Sequence, residues 1–253
     1  MSKLSEKFKI LTYNIGIIYK DASVIISSGV QKDDIRWLDH PYKDRFFADP
    51  FLIREDQTNY YILVEEYLFW EEKGKISVLI IDKERFKLVD KKIVIEEQYH
   101  LSFPFCELNG NKIIPESVAA GETYAYTIDT NSFKVIEKHK ILNEGLIDGV
   151  YYFDGETKWL LASHKEKPKE DLYLYKESTD GFIPLNNGRA IQNSIGFTRG
   201  AGLFFKRGEV IYRPVQDSEK RYGYQTNIMR INHILTHRIG CYKIYMTAER
   251  FFH

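Results

Sequence analysis

With 253 residues, 43% of them hydrophobic and 15% aromatic, the chain has the apolar surface for a large core and is excluded from the disordered class. Its 36 Lys plus Arg equal its 36 Asp plus Glu, so no basic field gathers a polyanion, which argues against nucleic acid as a partner. Cys106 and Cys241 stand in no metal or redox spacing, no stretch approaches the ~20 apolar residues that span a bilayer, and the opening MSKLSEKFKILTYNIGIIYK lacks the long apolar centre and cleavage site of a secretion signal. The expected setting is soluble, reducing and cytoplasmic.

In chain order, KFKILTYNIGIIYK reads as strand-like and is followed by four similar units that recur at roughly 50-residue intervals, the period of a propeller or another repeat array. Their openings are FFADPFLIREDQTNYYILVEEY, LSFPFCELNGNKIIPES, LIDGVYYFDGETKWLLAS and TRGAGLFFKRGEVIYRP, with leading positions near Asp49, Pro104, Asp148 and Ala201. The first unit predicts strands at 46–53, 60–67, 75–82 and 88–95, separated by polar turns. The second predicts 101–107, 112–116, 122–129 and 133–141, with Asn109-Gly110 as a hairpin signal. The third predicts 147–153, 158–163 and 171–176 around an Asp154-Gly155 turn, and the fourth 198–205, 209–213 and 224–231 around Arg207-Gly208. No region sustains a 3.6-residue apolar period. The C-terminal GCYKIYMTAERFFH is again strand-like, and pairing it with the N-terminal strand would close a ring without open edges. The expected fold is all-β: a single five-bladed β-propeller domain over residues 1–253, its closing blade shared by the two terminal strands.

The segments FFADPF, YHLSFPF with IIPES, LIDGVYYFDGETKWLLAS, and RGAGLFF followed by YRPVQDSEKRYGY resemble the domain at the N-terminus of plant glucosamine inositolphosphorylceramide transferases. Similar domains occur in bacterial proteins linked to surface polysaccharides, some fused to formyltransferase-like domains. The resemblance runs from about Asn14 to Ile231; beyond that the C-terminus departs from the family pattern. The family is in turn similar, more distantly, to five-bladed glycosidases of the arabinanase, xylosidase and invertase type. It implies a propeller whose inner strands line a central channel, and fold alone does not assign the chemistry there.

Asp49, in Ala48-Asp49-Pro50, matches the motif in which the related glycosidases carry a base or nucleophile; the plain alternative is a turn aspartate bonded to backbone. Glu116, at the end of an apolar strand, is placed to donate a proton if burial raises its pKa, or else is a surface glutamate. It lies in the second strand of its unit, whereas those glycosidases place their acids on inner strands. Asp148 is equivalent to Asp49 by repeat. Arg199, Arg213, Gln216, Asp217 and Tyr222 form a recognition group in the fourth unit, its guanidiniums able to hold a carboxylate, a phosphate or sugar hydroxyls or else to make interblade ion pairs. His100 with Phe103 and Phe105 offers a sugar platform, against ordinary core packing for the two phenylalanines. Glu65 and Glu66 face opposite ways on one strand, so at most one reaches the channel. His233-Ile-Leu-Thr-His237 lacks the glutamate of the zinc-protease motif, and no metal or cofactor is expected.

Two readings follow. In one, the propeller binds a glycan or sugar conjugate and cleaves or transfers a glycosyl unit in surface-polysaccharide metabolism, using Asp49, Glu116 and Asp148. In the other, it is a non-catalytic glycan-binding or assembly module for a separate partner transferase.

Overall fold

The computed structural model describes residues 12–236 and 242–249. The chain enters through β1 (Gly16–Ile18), the short helix α1 (Ala22–Ser28) and β2 (Ile35–Trp37), which returns antiparallel to β1. Asp21 caps the helix by accepting the Ser23 N–H at 2.8 Å, which satisfies one of the donors a helix start leaves free.

Four antiparallel sheets follow, each a meander. The first contains β3 (Arg45–Glu55), β4 (Asn59–Leu68), β5 (Lys73–Asp82) and β6 (Lys87–Ile95). The second contains β7 (Ser102–Phe105), β8 (Lys112–Glu116), β9 (Thr123–Ile128) and β10 (Val135–Leu142). The third contains β11 (Ile147–Phe153), β12 (Lys158–Ser163), β13 (Asp171–Ser178) and β14 (Gly181–Pro184), with β15 (Gln192–Asn193) added beside β13. The fourth contains β16 (Phe205–Arg207), β17 (Val210–Asp217), β18 (Gln225–Thr236) and β19 (Tyr242–Glu249). Middle strands such as β4 and β5 are apolar over long runs because both faces of a blade pack on neighbours, whereas the outer strands β6 and β10 are mostly exposed and charged.

The main core lies between the first three blades. Phe51, Phe103, Phe105 and Tyr151 meet edge to face there, with ring centroids 5.0 Å apart for Phe51–Phe103 and for Phe105–Tyr151.

The ring has four blades rather than five among the described residues, and the terminal strands do not share one. β19 pairs along β18, completing the fourth blade, and β1 pairs with β2. The physical reason is edge pairing: β16 to β18 alone would leave the 12-residue β18 as an open edge, and the C-terminal strand covers it. The entry segment sits at the junction instead. Ile15 and Leu38 pack against Phe47, Val64 and Leu79 of the first blade, while Asp21 pairs with Arg207 in the first turn of the fourth.

One backbone device recurs and positions the site. In β3 the register slips between the Ala48↔Glu65 and Phe51↔Leu63 pairs, in β7 between Ser102↔Glu116 and Phe105↔Ile114, and in β11 between Ile147↔Ser163 and Val150↔Leu161. Each slip is a bulge whose residue adopts a left-handed backbone: Asp49 (φ 50°), Phe103 (φ 41°) and Asp148 (φ 48°). Such bulges re-aim a side chain, and aspartate tolerates this conformation better than most residues. In the fourth blade Gly200 bridges to Val215 instead of bulging, and a Cβ there would meet the Asp148 carbonyl oxygen at 2.7 Å, so glycine lets the two blades come into contact.

Candidate functional site

The bulges place Asp49, Phe103 and Asp148 in matching positions on three inner strands, and the residues paired just before them on the second strands are Glu65, Glu116 and Ser163. In the fourth blade the Gln216 N–H donates to the Arg199 carbonyl at 2.9 Å, which puts Gln216 in the corresponding place. Two sets of side chains, one from each strand, therefore converge. Glu116 reaches the site from a second strand because the bulge leaves a gap in the inner one.

Four carboxyls result: Asp49, Glu65, Glu116 and Asp148. Asp148 is buried and its Oδ2 accepts from Arg199 Nε, while Arg199 Nη2 stands 3.9 Å from Glu116 Oε2. Loss of water around its carboxyl, then the charge of Asp148, push the Asp49 pKa up to about 7, against the pull of the Phe103 N–H, which donates to Oδ2 at 3.2 Å. Burial, then the charges of Asp49 and Asp148, push Glu65 up to about 8. Glu116 is held well above the carboxylate range by burial and by the charge and hydrogen bonding of Asp148. Burial works against the charge on Arg199, but Asp148 more than compensates and raises its pKa. The arrangement thus holds protonated carboxyls beside a fixed ion pair, which is the raw material of acid–base chemistry near neutral pH.

A cavity of about 270 Å³ opens beside this group, lined by Asp49, Phe103 and Asp148, the backbone of Gly200 and Gly202, Gln216 and Tyr222. Tyr222 presents its ring to the Arg199 guanidinium at 5.2 Å, and Arg199 Nη2 donates to its hydroxyl at 3.4 Å. Burial raises the Tyr222 pKa to about 12.

The remaining residues singled out from the sequence stand in different relations to the cavity. Phe105 is core and does not line the cavity, whereas Phe103 belongs to the same core and also lines the cavity. His100 instead accepts the Gly74 N–H at Nδ1 (2.9 Å) and turns Nε2 toward Glu65 Oε1 at 3.5 Å. Arg213 is fully buried: Nη2 donates to the Thr198 carbonyl at 2.5 Å, Nε and Nη1 have no hydrogen-bond partner among the described residues, and burial lowers its pKa to about 10. Asp217 is buried and accepts from Gln225 Nε2 at 2.8 Å and from the Glu219 N–H at 2.9 Å, so it shapes the loop carrying Tyr222. Glu66 faces away from Glu65 and is enclosed by Arg45, Ser77 and Lys91, the last at 2.8 Å. His233 is on the strand β18, and His237 and Cys241 lie outside the described residues. Among the described residues no group of three or more His, Cys, Asp or Glu is arranged to hold a metal ion, and no helix is long and apolar enough to cross a membrane.

Glu65 is the residue that sequence reasoning leaves undecided. The register shifts in the backbone pair Glu65 with Ala48 as Glu116 pairs with Ser102, and that pairing selects Glu65 over Glu66.

Fold and site together define an all-β, propeller-like ring of blades, with acidic side chains of the first and third blades lining one cavity. The chain belongs to the family described as "Glucosamine inositolphosphorylceramide transferase 1, N-terminal", whose sequence pattern matches residues 34–249, so the match starts later than Asn14 and, contrary to the expected departure after Ile231, continues through the C-terminal segment. The family is thus one related by name to a transferase. No curated protein matches the chain. Among solved structures it is similar to Kuenenia stuttgartiensis hydrazine synthase at 14% identity and a TM-score of 0.34, covering 70% of this chain and 62% of that one, a likeness too slight to bear on fold or activity.

Proposed function

We propose that the chain is a carbohydrate-active propeller that takes a glycan or sugar conjugate into the acid-lined cavity and cleaves or transfers a glycosyl unit, in the metabolism of surface polysaccharides. The observation that carries this reading is Glu116 beside the Asp148–Arg199 ion pair, 3.9 Å from Arg199 Nη2 and with burial favouring its protonated form, while burial and then the charge of Asp148 bring Asp49 to about 7. Glycosyl chemistry passes through an oxocarbenium-like transition state, which needs a proton for the leaving oxygen and negative charge or an activated hydroxyl on the other side. Glu116 is the donor; Asp148 supplies charge, held in place by Arg199; Asp49 assists the attacking hydroxyl. Gln216 and Tyr222 hold sugar hydroxyls, Arg199 and the flank of Phe103 border the ring, and His100 acts from behind Glu65. Arg213 and Asp217 support the site from within the fourth blade. A cavity of about 270 Å³ is just below the ~300–1,000 Å³ of most ligand pockets, so it suits one sugar ring rather than a chain.

The second reading rests on the same ion pair. Asp148 is already engaged by Arg199 and is not free to act as a nucleophile, which favours a module that binds a sugar and serves a separate transferase.

The test is turnover across a panel of nitrophenyl glycosides, nucleotide sugars and surface-polysaccharide fragments. General acid–base groups contribute about 10²–10⁴-fold, so Glu116→Gln and Asp49→Asn are expected to lower turnover by at least about 100-fold while leaving binding in place. Binding by the wild type with no turnover of any compound selects the binding module instead.

A further inference from the structure

Two carboxyls of the site, Asp49 and Glu65, come from the same blade, and only Asp49 is prefigured by a motif. Glu65 stands in the pairing position that Glu116 holds one blade along, directly across from the residue that precedes the bulge. Its side chain has its own support. Gly74, on β5, leaves room for it: a Cβ there would meet Glu65 Oε1 at 2.8 Å, the Leu101 carbonyl at 2.4 Å and His100 Cε1 at 2.9 Å. Because the Gly74 N–H donates to His100 Nδ1, the neutral imidazole carries its proton on Nε2, the nitrogen that faces Glu65 Oε1 at 3.5 Å. Tyr67 flanks the imidazole with its ring centroid at 6.0 Å, and Tyr67 is itself stacked on Phe46 at 4.9 Å. A backbone donor, an aromatic wall and a glycine thus fix one histidine tautomer toward one carboxyl.

We infer that Glu65 is a fourth reacting carboxyl of the site, acting with Asp49 as one proton-accepting unit, and that His100 is its positioning residue. The inference rests on the proposed glycosyl chemistry. The O–H bond of the attacking hydroxyl, from water or an acceptor sugar, breaks and its proton passes to the Asp49–Glu65 unit. The hydroxyl oxygen's electron pair forms the new bond to the anomeric carbon. The bond from that carbon to the leaving oxygen breaks, the oxygen keeps the pair, and it takes the proton of Glu116. One proton is gained and one lost, so the site's charge is unchanged, and exchange with solvent resets both groups. The titratable groups facing Glu65 are Asp49 on β3, Asp148 on β11, His100 before β7 and Tyr13 from the entry segment; Tyr13 is influenced in turn by Arg221.

The experiment is ¹³C-carboxyl NMR on protein with labelled glutamate, the Glu65 signal being the one absent from Glu65→Gln. It is expected to titrate near 8 in the wild type, to fall by about one unit or more in Asp49→Asn, and to move in His100→Gln, while Glu66→Gln leaves it in place. ¹⁵N spectra are expected to show His100 with Nε2 protonated and Nδ1 bare. With a turned-over substrate in hand, Glu65→Gln is expected to lower kcat by at least about 100-fold with little change in KM and to shift the acidic limb of the pH profile to the one set by Asp49 alone. A Glu65 that titrates in the ordinary carboxylate range, or ignores both Asp49→Asn and His100→Gln, overturns the inference and leaves the proposed function standing. So does a Glu65→Gln enzyme with the wild-type pH profile. Loss of neither activity nor profile in Glu116→Gln overturns the proposed function, and the inference with it.

Discussion

The protonated carboxyls at the site have a consequence for stability that needs no ligand to measure. Asp49 and Glu65 have folded pKa values of about 7 and about 8, against unfolded values near 4, so between those limits the folded chain holds protons that the unfolded chain has released. Raised carboxyl pKa values stabilise below the unfolded pKa and lose that contribution as pH climbs through the folded value. Burial lowers the pKa of His40 and His100, which works in the opposite direction, but only below about pH 6.5. From pH 6.5 to 8.0 the two carboxyls together remove roughly 2 kcal/mol, about two thirds of it from Glu65; Glu116 adds to the loss. Urea unfolding at pH 6.5, 7.2 and 8.0 measures this through the midpoint at constant slope. The wild type is expected to weaken across the series, and an Asp49→Asn, Glu65→Gln double variant to weaken much less. A wild type that holds or gains stability over that range refutes the reasoning, as does an equal loss in the double variant.

Three further outcomes test the supports of the site. Gly74→Ala forces a Cβ against the Leu101 carbonyl and the Glu65–His100 pair, and is expected to cost roughly 1–3 kcal/mol in urea unfolding and to disturb the His100 ¹⁵N shifts. Glu66→Ala strips the common partner from Arg45 and Lys91 and is expected to cost about 3–5 kcal/mol, with Glu66→Gln milder, while sugar binding persists in either. Arg199→Met leaves Asp148 buried without its cation, at a similar cost, and is expected to weaken sugar binding as well, which calorimetry with a bound glycan would register.

The alternation and turn chemistry of the chain carry most of the blade structure. Asp154-Gly155 forms the expected hairpin because Asp154 Oδ1 accepts the Glu156 and Thr157 N–H groups at 2.9 and 2.8 Å, and Gly155 takes a positive φ of 106°. At Asn109-Gly110 it is the asparagine that takes the positive φ, 60°. The outer strand of the third blade escapes that reading because β14 has four residues, whereas β19 is legible as a strand but not its blade, since the blade count depends on which edge each terminal strand finds. α1 spans seven residues, too few for a helical period to stand out. In the site, the repeat brings out Asp49 and Asp148, but which of Glu65 and Glu66 joins them depends on bulges that only the backbone reveals.

The central claim is that a sugar occupies the acid-lined cavity on the axis. A crystal structure of the Glu116→Gln variant, soaked with the glycan that binds most tightly in the panel, tests it directly. A sugar ring is expected within hydrogen-bonding distance of Asp49, Asp148 and Gln216, beside Tyr222. A glycan seated instead on the apolar groove of Phe153, Phe204 and Ile211, with the acids untouched, would contradict it.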